Sequence, residues 1–271
     1  MGRKTNDPHV ESLRYRVIHS QTVDYSGAAP LAYDTGEFSV TLEKDALIVT
    51  MLAHTASEEE GRALVEPFLK AWEIQAGLDL GLAQIGFSFQ GSNVIDRAPS
   101  PQDARTVFLQ AARGEFRLSG SPVSLVVRRR HYPPAPQRFS ISPDVETMYY
   151  RYKGYCEGHE PLLSMANFVL TMLQQGKANK ARKAAAGRYC VDCKVLNTLG
   201  RLSAAGSPQE ARKAPKGGTF QDLSDAEKQW VSAAVRRLIL RAGECAAVGA
   251  GQLPVVGMAD LPPLPARSGG K

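Results

Sequence analysis

Two short spacings hold residue types that could do chemistry. Cys156 and His159 stand three apart in Tyr-Cys-Glu-Gly-His, and Cys190 and Cys193 stand three apart in Tyr-Cys-Val-Asp-Cys. Thiolate and imidazole are zinc's usual ligands, and a structural zinc needs four donors around one point, which two such half-sites would supply. Against this, the residues around Cys190 read as helix, without the glycine-rich turn of a zinc knuckle. Cysteine is also a common buried apolar filler. The preferred reading is no cofactor: separate apolar surroundings for the thiols, and His159 facing solvent. A redox Cys-x-x-Cys opens a helix after a strand, whereas an alanine-rich basic segment precedes this one.

Cations and aromatics offer a second chemistry. Tyr149, Tyr150, Tyr152 and Tyr155 interleave with Arg151 and Lys153. Such alternation can stack on unpaired bases while neutralising phosphates. Tyr149, Tyr152 and Tyr155 also recur every three residues, as a stripe packed against another helix does, and packing is the preferred reading for them. Arg128, Arg129 and Arg130 end a strand just before a proline cluster. Lys177, Lys180, Arg182 and Lys183 fall in a run read as a link between two helices, and Arg212, Lys213 and Lys216 lie in a loop. Brought together, these cations would form a phosphate-binding surface with strong salt dependence. The candidate nucleic-acid contacts are therefore these first seven cations with Tyr150 and Arg151.

Other chemistries lack their motifs. No Gly-x-Ser-x-Gly elbow, phosphate-cradling glycine loop or His-Glu-x-x-His occurs, and Asp96-Arg97 reads as a turn with a local ion pair. Charged residues at 22% and hydrophobic ones at 43% are a globular balance, and the formal charge is +6. No apolar run approaches the roughly 20 residues that span a bilayer. The first residues carry no apolar signal core, and four cysteines are too few for a disulfide scaffold. The expectation is a cytoplasmic protein without a membrane partner.

The elements that must position these residues follow from periodicity. Leu13–His19 alternates as a half-buried strand, and two apolar runs around Glu43-Lys-Asp-Ala form a hairpin. Ser57 and Glu60 make a capping box for a helix through Trp72, in which Pro67 marks a kink or the true start. Extended segments are expected at 85–90, 93–95, 107–109 and 123–127. After the prolines at 133–136 the pattern turns helical: 145–155, a helix from Glu160-Pro161, 188–202, and a last helix behind the Ser224–Glu227 capping box. Residues 203–218 read as a surface loop. From Gly249 onward the chain reads as a tail, extended across the helices or disordered.

The stretch Tyr149-Tyr-Arg-Tyr-Lys, then Glu160-Pro-Leu-Leu-Ser-Met-Ala-Asn-Phe-Val-Leu-Thr and the closing Met258-Ala-Asp-Leu-Pro-Pro-Leu, resembles uncharacterised bacterial proteins with a β-rich N-terminal region and a helical C-terminal one. The helical outline is similar to HEPN domains, many of which are RNases or nucleic-acid-associated parts of toxin and defence systems. Their nuclease signature is an arginine and a histidine four to six residues apart on a helix. The helical half has no such pair, and Arg14…His19 has the spacing in a strand, so no catalytic residue is carried over.

The sequence thus predicts an α+β protein. An antiparallel sheet with one packed helix spans 1–132, a helical bundle 137–248 and a Pro/Gly-rich tail 249–271. Its expected role is a non-catalytic binding or interaction module, a nucleic-acid-associated accessory protein of a bacterial system or a partner of another protein. A HEPN-like ribonuclease with a non-standard site is the alternative.

Overall fold

The computed structural model describes residues 6–97, 107–110, 126–174, 178–204 and 222–264, with 107–110 and 178–180 as backbone. The chain is α+β and divides into two compact units, Met1–Pro136 and Gln137–Lys271. No described helix is long and apolar enough to cross a membrane.

In the N-terminal unit, strands β1 (Pro8–Ile18), β3 (Leu31–Asp34), β4 (Phe38–Glu43), β5 (Ala46–Met51), β6 (Gly86–Asp96) and β7 (Val107–Gln110) form one antiparallel sheet in the order β3-β4-β5-β1-β6-β7. Short β2 (Val23–Asp24) and β8 (Val127–Arg128) pair in parallel beside it. Val123 to Ser124 of the expected last strand lie outside the described residues, as does Leu125. Alternation decides the buried face: Leu13, Tyr15 and Val17 point inward from β1 while Arg14 and Arg16 stay exposed. Helix α1 (Glu58–Leu80) covers the inner face with Val65, Leu69, Trp72 and Ala76. The β4–β5 hairpin turns on Lys44 and Asp45 alone, both with positive φ (49° and 61°), the type I′ geometry that matches strand twist.

One detail of α1 differs from the sequence reading, and one of the two alternatives for Pro67 falls. Ser57 does cap, accepting from the Glu60 amide at 3.2 Å, but the Glu60 carboxylate reaches back to the Ala56 amide at 2.8 Å. Pro67 neither starts nor ends the helix. It lies on the exposed side, so the Ala63 carbonyl it leaves without an N–H partner faces water.

The C-terminal unit packs α2 (Pro143–Cys156), α3 (Leu162–Gln174), α4 (Ala178–Tyr189), α5 (Cys193–Leu202) and α6 (Asp225–Val248) around Met148, Met165, Val169, Leu199, Trp230 and Leu238. Residues 250–264 complete it. Val256 is buried and bridges to Val191, and its amide donates to the Cys190 carbonyl at 2.9 Å.

The expected single helix at 188–202 is broken. Cys190 takes the left-handed conformation (φ 52°), and the Val191 amide returns to the Ala186 carbonyl at 3.0 Å, ending α4 as a Schellman cap does. Asp192 then caps α5 by accepting from the Lys194 amide at 2.9 Å. The basic run at 178–183 is accordingly not a linker but the first turns of α4. Alanine, lysine and arginine are strong helix formers, and here that propensity prevails.

Candidate nucleic-acid interface

The four metal candidates occupy the ends of helices. Cys156 is the last residue of α2, Gly158 adopts φ 78°, and the His159 amide closes the cap on the Gly154 carbonyl at 2.8 Å. The Cys-x2-His spacing is that of a helix C-terminus. Cys156 is exposed rather than a core filler, and partial burial raises its thiol pKa against the lowering effect of a hydrogen bond with Tyr152. His159 faces solvent with a side chain 78% exposed. Cys190 donates to the Leu253 carbonyl at 3.3 Å, while Cys193 opens α5. Among the described residues, no three His, Cys, Asp or Glu side chains gather to hold a metal ion.

Two of the four tyrosines on α2 are committed inward. Tyr149 and Tyr152 are buried. Tyr150 is exposed and donates to Glu146 at 3.3 Å. Arg151 is engaged twice, by Glu160 at 3.0 Å and by the Phe168 ring, whose centroid lies 4.4 Å from its guanidinium carbon.

The two sets of cations fall in different units. Arg128 is highly exposed and 3.4 Å from Asp24. The Arg129 guanidinium donates to Gln84 at 3.4 Å, and its Nε is buried without a partner. Arg130 is exposed, and its carbonyl accepts from Ala29. Arg14 points outward from β1, and His19 directs one ring nitrogen to the Ser20 carbonyl (3.1 Å) and the other towards Asp45 (3.9 Å). In the C-terminal unit, Lys177 and the Lys180 side chain lie outside the described residues, whereas Arg182 and Lys183 are placed on α4.

On α4 and α5 the charge is concentrated. Residues 178–202 hold six cations (Lys180, Arg182, Lys183, Arg188, Lys194, Arg201) against Asp192, a net +5. The rest of the chain has 27 cations and 26 acids, so this hairpin carries five of the six excess charges. Its one acid is occupied as the cap of α5. Val195, Leu196, Leu199 and Leu202 bury one side of α5, leaving Lys194, Asn197 and Arg201 exposed at the spacing of one face. Among the described residues, Lys183, Lys194 and Arg201 meet no carboxylate.

Arg182 crosses from α4 to that face. Its Nη1 donates to Asn197 Oδ1 at 3.1 Å, and its guanidinium lies over Gly200. A Cβ at position 200 would stand only 2.5 Å from Arg182 Nη2, so the missing side chain makes the notch the arginine fills. The sequence reading missed Lys194, Asn197, Gly200 and Arg201. The signal for three of them was the i, i+3, i+7 spacing of Lys194, Asn197 and Arg201, legible within the expected 188–202 helix, whereas Gly200 had none.

Compared with protein-family models, curated proteins and solved structures, the chain matches none.

Proposed function

We propose that the protein is a non-catalytic nucleic-acid-binding accessory module that engages the phosphodiester backbone through the α4–α5 hairpin. The observation that supports this is the placement of five of the chain's six net charges on two packed helices with a single, already engaged acid. Cations held on rigid helices release counterions from a polyanion, so affinity depends on salt and little on sequence. Tyr149 and Tyr152 are buried and supply no stacking surface, which favours backbone contact over base readout. Four unpaired cysteines suit a reducing compartment, and a cytoplasmic location belongs to the same reading.

The test is a fluorescence titration of the whole protein against single-stranded RNA, duplex DNA and polyglutamate across a range of salt. Expected is nucleic-acid binding whose log affinity falls linearly with log salt, at about 0.9 per phosphate neutralised on duplex. Absence of salt-sensitive nucleic-acid binding at low ionic strength removes the reading. Cleavage of the RNA during the titration replaces it with a ribonuclease.

A further inference from the structure

We infer that Arg182 is a preorganised phosphate clamp, the specific anchor within the basic hairpin, and this rests on the phosphodiester-binding reading above. Most surface cations are flexible and contribute charge without geometry. Arg182 is different. Asn197 fixes Nη1 at 3.1 Å, the Gly200 notch receives the guanidinium plane, and Nε is buried without an acceptor. No protein acceptor among the described residues takes Nη2. The ligand chemistry this fits is a tetrahedral oxyanion with several acceptors, a single phosphodiester group, which a guanidinium can bind through two parallel N–H donors. Lys194 and Arg201, one turn to either side of Asn197 on α5, flank the position and carry neighbouring phosphates. Because the side chain is already immobilised, little rotamer entropy remains to be lost on binding.

Four substitutions separate geometry from charge. Arg182→Lys keeps the charge and loses the fork. Gly200→Ala keeps every charge and displaces the guanidinium, whose end is the nearest group, while the added Cβ also comes within 3.2 Å of buried Leu170 Cδ2, so its effect on stability is measured alongside. Asn197→Ala releases Nη1. Lys183→Gln, by contrast, removes an exposed charge with no such seating.

With single-stranded RNA as probe, Arg182→Lys and Gly200→Ala are each expected to weaken binding about tenfold, the loss of one charge-assisted hydrogen bond. The salt slope should stay at the wild-type value in both. Lys183→Gln is expected to lower the slope by about one phosphate with a smaller loss of affinity. A merely structural Arg182 would move thermal stability and leave affinity per folded molecule unchanged. If wild type binds RNA while Arg182→Lys, Gly200→Ala and Asn197→Ala all titrate like it, the clamp is wrong and the module reading survives. If wild type binds nothing, both fail. Should Gly200→Ala not fold, Arg182→Lys and Asn197→Ala decide. Polyglutamate binding as tight as RNA, with the same sensitivity to Arg182→Lys, overturns the assignment to phosphate.

Discussion

The indole nitrogen of Trp72 donates to the carbonyl of Pro133 across 3.0 Å, joining the middle of α1 to the proline-rich stretch. The contact is buried, and Tyr132 stacks on Tyr25 (centroids 4.9 Å) one residue earlier. Residues 132–135 are thereby built into the N-terminal unit, although prolines in sequence read as a connector. Trp72→Phe keeps most of the apolar volume and leaves a buried carbonyl without its donor, which should cost about 1–3 kcal/mol. Urea unfolding by circular dichroism should show the loss. The variant retains Trp230 alone, whose fluorescence follows the C-terminal unit and should not shift.

His9 makes the N-terminal unit acid-sensitive. Its side chain is 1% exposed, its Nδ1 has no partner, and its ring stacks on His54 at 5.4 Å. Burial first, then the charges of Arg97 and His54, lower its pKa, against opposing effects of Asp7 and Glu11. A histidine pKa depressed by folding means that protonation favours the unfolded chain. The stability it contributes is fully present above the ordinary histidine value of about 6.5 and is lost as pH falls through the lower folded value. The urea midpoint of this unit should therefore decline on acidification below neutrality. His9→Gln should flatten that decline, and an unchanged pH slope in the variant would exclude His9 as the cause.

Gly243 in α6 admits the Phe139 ring, and a Cβ there would fall well inside its contact distance. The Ser140 amide donates to the Gly243 carbonyl at 3.1 Å, so the backbone cannot easily withdraw. Gly243→Ala should destabilise the C-terminal unit by about 2–4 kcal/mol despite alanine's better helix propensity. Faster hydrogen exchange in α6 is the expected observation, and a more protected helix would contradict it.

Lys44 holds φ 49° in the hairpin turn with its side chain 85% exposed. Lys44→Gly removes a strained conformation and only an exposed pair with Glu43. A gain of about 0.5–1 kcal/mol in unfolding free energy is expected, and a loss would mean the lysine contributes in some other way.

The sequence was readable where local rules agreed with the fold. The hairpin at 38–51 combines strand alternation with a two-residue polar turn, and Ser224 with Glu227 makes the capping box seen at α6. The apolar stripe from Leu162 to Leu173 is helix α3. It was unreadable where a position did a job its residue type does not advertise. Cys190 ends a helix in the place glycine usually takes, so the α4–α5 break left no mark. Pro67 lies inside a helix because its exposed face tolerates a lost hydrogen bond. With the break unseen, Arg182 looked like one cation among several, and neither Asn197 nor Gly200 had a visible purpose.

The position of β1 in the sheet orders events during synthesis. It precedes both of its neighbours in the chain, yet β5 pairs along one edge of it and β6 along the other. While a ribosome extends the chain, one edge of β1 stays unpaired until residue 51 has emerged, the inner face of Leu13, Tyr15 and Val17 stays uncovered until α1 has, and the second edge stays unpaired until residue 96 has. The β3–β5 meander, whose strands pair with sequence neighbours, has no such delay. The centre of this sheet therefore closes later than its β3–β5 side, and a chain stalled between residues 51 and 96 exposes a bare strand edge to its neighbours.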